Sequence, residues 1–83
     1  MKLRLLYFAR LRERFGTAEE NVDFAGATVA ELLAQLRARG GVWAEELGEG
    51  RLFRVAVDQT LAMPETGLAE GAEVAIFPPV TGG

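Results

Sequence analysis

Residues 28–41, Thr28-Val29-Ala30-Glu31-Leu32-Leu33-Ala34-Gln35-Leu36-Arg37-Ala38-Arg39-Gly40-Gly41, read as a helix with both ends written into the sequence. The Thr28 hydroxyl can accept a hydrogen bond from one of the unpaired backbone N–H groups of the first turn. Glu31, three residues on, completes a capping box. Val29, Leu32, Leu33 and Leu36 recur at i, i+3, i+4 and i+7 and form one apolar stripe. Arg37 and Arg39 suit the negative C-terminal end of the helix dipole. Gly40 offers the left-handed conformation of a C-cap, and Gly41 stops continuation. The spacing predicts a helix from Val29 to Arg39 with one face made for a sheet.

The sheet is sought on either side. Lys2 to Ala9 is rich in Leu, Tyr and Phe and alternates only loosely. It reads as a strand buried on both faces, with Arg4 near its edge. Ala9 to Phe15 is a short helical turn ended by Gly16. Glu20 to Phe24 alternates and reads as a second strand, paired with the first in a hairpin-like way. Val42 to Leu47 is a second short helix, closed by Gly48-Glu49-Gly50. Phe53 to Val57, Leu61 to Met63 and Glu73 to Phe77 are three further strands. The order β-β-α-β-β-β, with short extra helical pieces, is α+β: one main amphipathic helix over one face of a small mixed sheet. Val22, Val29, Leu32, Leu33, Leu36, Val55, Val57, Val74 and Ile76 can fill its core.

Length and composition bound the chemistry. The chain has 83 residues, of which 49% are hydrophobic and 25% charged, enough for one small core and against disorder. It has no Cys and no His. There is thus no thiolate nucleophile, no disulfide, no thiolate zinc site, and neither the commonest general base nor the commonest metal ligand. The net charge is −3, with residues 1–14 at +4. An acidic whole argues against nucleic acid as the main partner, and the basic segment reads as the exposed side of a strand and the turn after it. No apolar run is long enough for a signal peptide or a membrane span. The chain reads as cytoplasmic, with no membrane partner.

Most polar clusters have ordinary readings. Glu45, Glu46 and Glu49, and likewise Glu19, Glu20 and Asp23, lack any metal-loop spacing and read as solvated faces; no metal site is expected. Gly40-Gly41 is not followed by the Gly-Lys-Ser/Thr of a phosphate loop. Trp43 reads as a core or lid residue rather than a stacking platform.

The C-terminus is different. The chain ends Ile76-Phe77-Pro78-Pro79-Val80-Thr81-Gly82-Gly83. Pro78 cannot donate to a strand ladder, and Pro78-Pro79 favours extended geometry. Residues 1–77 therefore read as the folded body and residues 78–83 as an extended tail. That tail is expected to project and to be mobile. Gly82-Gly83 ends it with no side chains and an ionised carboxylate, which a narrow active-site channel could admit. Such a carboxylate can attack the α-phosphate of ATP on another protein.

This ending resembles that of the small, sulfur-carrying subunits of molybdopterin synthases, within the ubiquitin-like sulfur-carrier family. The likeness runs through Leu6-Tyr7-Phe8-Ala9-Arg10, the Thr28-Val29 helix start, Val57-Asp58-Gln59-Thr60-Leu61 and Gly71-Ala72-Glu73-Val74-Ala75. Asp58 stands where Asn is usual, and Ala72 where Asp is usual. The resemblance implies a ubiquitin-like β-grasp fold. It implies that a ubiquitin-activating-like adenylyltransferase consumes ATP to adenylylate Gly83, and that a sulfur donor protein converts it to a thiocarboxylate. The large synthase subunit then takes the tail, and sulfur passes to cyclic pyranopterin monophosphate. Two small and two large subunits form a heterotetramer. The chain itself would bind no cofactor.

By the same resemblance, Phe8, Leu61 and Phe77 match an apolar surface that meets both partners. Arg12 lies on its rim, Pro78, Pro79, Val80 and Thr81 lead into the partner, and Gly82 and Gly83 carry the chemistry. Other customers stay open: thiamine or tRNA thiolation, tagging of protein lysines, or a β-grasp interaction module with an inert tail.

Overall fold

Alternation governs the first strand in the computed structural model, which describes residues 1–79. In β1 (Lys2–Tyr7), Leu3, Leu5 and Tyr7 are buried, while Lys2 and Arg4 face outward and Leu6 is half-buried. The strand is thus covered on one face only, which corrects the doubly buried reading. Its loose alternation arises because Leu6 and the following Phe8 are apolar residues of the outward face. Arg4 is also not at an edge: it pairs with Asn21 on one side and Glu73 on the other.

The elements that follow are α1 (Ala9–Phe15), β2 (Glu19–Asp23), α2 (Val29–Arg37), α3 (Gly41–Leu47), β3 (Arg54–Val57), β4 (Thr60–Leu61) and β5 (Glu73–Phe77). Among the described residues, five strands form one sheet in the order β2-β1-β5-β3-β4. Only β1 and β5 run parallel; the other neighbours are antiparallel. The β3–β4 hairpin turns through Asp58 and Gln59, both at positive φ (48° and 69°), as a primed hairpin turn requires. Asp58 Oδ1 also accepts from the Glu73 backbone N–H at 3.0 Å, tying the turn to the start of β5.

The α2 capping box is present. Thr28 Oγ1 accepts from Glu31 N–H at 3.3 Å, and Glu31 Oε1 accepts from Thr28 N–H at 3.1 Å. The Ala27 N–H, the Thr28 N–H and the Thr28 hydroxyl all donate to Glu31 Oε1 and hold its carboxyl below the ordinary range. The far end of α2 differs from the sequence reading. Its C-cap is Ala38 in right-handed conformation. Gly40, at φ 77°, instead caps the start of α3, and Gly41 opens that helix rather than blocking one.

All four residues of the α2 stripe are buried against the sheet. The core is wider than the nine residues named from sequence. It adds Leu3, Leu5, Tyr7, Leu11, Phe24, Leu47, Leu68 and Ala72, while Val57 is only partly buried. At its margin, Trp43 stacks on Phe15 with ring centroids 3.8 Å apart, and Arg39 lies over Trp43 at 4.4 Å. Trp43 therefore packs within the body as expected. Arg39 also grips Glu20 through two bonds of 2.9 and 3.1 Å, and the Tyr7 hydroxyl donates to Glu20 at 2.6 Å. Burial opposes charge on Glu20, but Arg39 and Tyr7 together hold its carboxyl below the usual value. Burial, with the Glu20 bond, pushes the Tyr7 phenol well above its ordinary value.

Candidate docking surface and tail root

The sheet has a second face, away from α2, and register fixes what lies on it. Leu6 pairs with Ala75, Ala75 with Ala56, and Ala56 with Leu61. Paired residues share a face. A low apolar row therefore crosses four strands. One rung on, Phe77 pairs with Arg54, and Phe8 N–H donates to Ile76 C=O at 3.3 Å, which continues the β1–β5 ladder. Phe8 thus stands beside Phe77, at the end of the sheet where the chain passes into Pro78 and Pro79.

Phe8 is 47% exposed and Phe77 is half-buried. Together with Ala9, Ala75, Pro78 and Pro79 they line an open apolar hollow. Local backbone geometry presents Phe8. Ala9 adopts φ 52°, a left-handed conformation that costs a non-glycine residue about 1–2 kcal/mol. That turn swings α1 aside directly after Phe8. The Phe8 carbonyl then accepts from Leu11 and Arg12 N–H and starts the helix.

The sequence-derived residues are not all gathered at one point. Phe8, Phe77, Pro78 and Pro79 come together. Leu61 shares the face and is 69% exposed, but it sits two strands from β5, about 10 Å across the sheet. It also borders a separate groove with Val29, Leu33, Phe53 and Met63. Arg12 is exposed on α1 and has no carboxylate partner among the described residues. Val80, Thr81, Gly82 and Gly83 lie outside the described residues, and so does the expectation of a mobile tail.

Two features were missed from sequence. The floor of the surface is Leu6, Ala56 and Ala75, and the loose alternation of β1 was its signal. The other is Glu46, read as solvated but only 5% exposed. Arg14 Nε donates to its Oε2 at 2.9 Å, Arg51 Nη2 donates to Oε1 at 3.1 Å, and Arg10 Nη2 lies 3.3 Å from Oε1. A buried carboxylate needs such partners. Three arginines from α1 and the loop before β3 supply them, which no local spacing could reveal.

Comparison with known proteins agrees with this architecture. The sequence matches the ThiS family over residues 5–83. It is 42% identical over 81 residues to the molybdopterin synthase sulfur carrier subunit of Escherichia coli K12, covering 98% of this chain and 99% of that one. Among solved structures it resembles SAMP1 from Haloferax volcanii, with a TM-score of 0.81, 31% identity and full coverage of both chains. It also resembles a chain in the complex of subunits 1 and 2 of molybdopterin-converting factor from Helicobacter pylori, with a TM-score of 0.67, 26% identity and full coverage of both. The fold is thus the ubiquitin-like β-grasp, and the chain belongs to the ThiS family.

Proposed function

We propose that this chain is the sulfur-carrying subunit of a molybdopterin synthase, with Gly83 as its reactive residue. The observation that carries the reading is its 42% identity with the Escherichia coli sulfur carrier subunit over 98% of this chain and 99% of that one, with a family match that runs through Gly82-Gly83. The apolar surface at the tail root supports it, because a short tail needs a body that holds it in a partner.

One oxygen of the Gly83 carboxylate attacks the α-phosphorus of ATP on an adenylyltransferase, and pyrophosphate leaves. A persulfide sulfur on a donor protein then attacks the acyl carbon and AMP leaves; a thiol attacks the donor's inner sulfur, a disulfide forms there, and the terminus is released as a thiocarboxylate. Glycine has no Cβ to obstruct either attack. The large synthase subunit receives the tail, the terminal sulfur attacks cyclic pyranopterin monophosphate, and water then cleaves the acyl–sulfur bond, leaving sulfur on the pterin and restoring the Gly83 carboxylate. Nucleophile and acid–base groups are thereby supplied without Cys or His in this chain. Phe8, Leu61 and Phe77 hold the partners, Arg12 steers them, and Pro78, Pro79, Val80 and Thr81 thread the tail. Two copies of each subunit assemble in the cytoplasm.

Intact mass of the protein from its native source tests this directly. A fraction with one oxygen exchanged for sulfur at Gly83 is expected. Appending one residue after Gly83 displaces the carboxylate by about 3.3–3.6 Å and should abolish adenylation and sulfur transfer. Normal activity of the extended chain would refute the mechanism. A second reading, a protein modifier, draws on the likeness to a chain named small archaeal modifier protein 1; it predicts isopeptide conjugates in place of thiocarboxylate.

A further inference from the structure

The tail root has two flanks. On one lies the apolar hollow of Phe8 and Phe77. On the other, Pro78 and Pro79 wall a second hollow of about 390 Å³ with Arg10, Gly50, Arg51 and Leu52. Its composition is unusual for bare surface: two guanidinium groups beside Leu52, which is 71% exposed.

Glu46 explains how the arginines are held. Arg10 and Arg51 converge on the same oxygen of that buried carboxylate, while Arg14 takes the other oxygen. Glu46 thus anchors three arginines, of which, among the described residues, only Arg14 has a second carboxylate partner, Glu45 at 3.4 Å. Among the described residues Arg51 spends one hydrogen bond on Glu46, and Arg10 has an ion pair but no side-chain hydrogen bond. A guanidinium has five donors, so most remain available. Both side chains are about half exposed. Arginine side chains normally surrender much rotamer freedom when they bind. Here Glu46 has restricted them beforehand, which lowers the ordering cost of a new contact. Fork-shaped donors held in place favour a carboxylate, which they can bind through paired hydrogen bonds. The adjoining Leu52 and prolines favour a protein surface over a small free anion.

We propose that the Arg10–Arg51–Leu52 flank is the second half of the docking surface, and that it takes a carboxylate-bearing segment of the protein that receives the tail. The proposal rests on the reading that the tail enters a partner. Pro78 and Pro79 belong to both hollows, so a partner closing over the tail root meets the apolar and the basic flank together.

The test measures binding of the full chain to the second synthase subunit by calorimetry across a range of salt concentrations. Arg10→Gln/Arg51→Gln should weaken binding about tenfold or more and flatten its salt dependence. Glu46 keeps Arg14 in this variant, and a melting curve checks the fold. Leu52→Ser, outside the ion cluster, should weaken binding several-fold with unchanged melting and settles the matter should the double variant unfold. Phe77→Asp is run beside them. If it loses binding while the Arg10/Arg51 and Leu52 variants bind like wild type with the same salt dependence, this inference falls alone. If Phe77→Asp also binds normally, the tail-insertion reading falls with it.

Discussion

Replacing Phe8 by alanine should separate holding a partner from holding the fold. A phenylalanine offers about 200 Å² of surface, of which the 47% left exposed is about 95 Å². If a partner covers that area, the loss is about 2.4 kcal/mol at 25 cal/mol per Å². That corresponds to about fifty-fold weaker binding. The part already covered in the free chain is about 105 Å², which bounds the stability loss at about 2.6 kcal/mol, less for a compact unfolded chain. Domains usually hold about 5–15 kcal/mol, so the variant stays folded at 25 °C. Calorimetry with the second synthase subunit reads the binding term, and a urea titration of the variant alone reads the other. An affinity within about twofold of wild type, in a chain shown to be folded, contradicts the docking role of this surface.

Two further outcomes follow from the body. Thr28→Ala removes the hydroxyl that accepts from Glu31 N–H and should cost about 1 kcal/mol, a fall of about 4–8 °C in Tm by scanning calorimetry. Glu20→Gln should cost about 1 kcal/mol at neutral pH, after allowance for solvent screening. Its folded carboxyl is held below the ordinary value of 4.5, so its contribution is complete above that value and is lost as pH falls through the depressed one. Unfolding curves of the two proteins at descending pH should converge in acid, and a gap that persists there contradicts the assignment.

The helix and the succession of elements along the chain were legible because their signals are local; the order of strands within the sheet was not. The Thr28–Glu31 box lies within four residues, and the apolar stripe repeats every turn. The parts that failed depend on distant segments. Glu46 sits among other acids on a short helix, and only the fold brings Arg10, Arg14 and Arg51 to it. The α2 terminus was misplaced because Gly40 can serve either helix, and the tight link to α3 claims it. The error over β1 is the most informative. Apolar residues on both phases of a strand mean burial on both faces only if both faces meet protein of the same chain. Phe8 is exposed to solvent and Leu6 only half-buried instead, so the misread periodicity marks the candidate site.

Topology explains why that site lies where it does. Parallel pairing of β1 with β5 brings the C-terminal ends of both strands to one end of the sheet. The first strand of the chain thus delivers Phe8 to the place where the last strand delivers Phe77 and the tail root. An antiparallel pair would have set them at opposite ends. Helix α1 then starts from Phe8 and carries Arg10 to the other side of Pro78 and Pro79, where Glu46 of α3 fixes it. Residues far apart in sequence are fastened by backbone hydrogen bonds and one buried carboxylate around Pro78 and Pro79. A partner recognising this surface senses the direction of the tail root and the folded state of the sheet together. Loosening the β1–β5 register should therefore weaken docking even with every side chain of the surface retained.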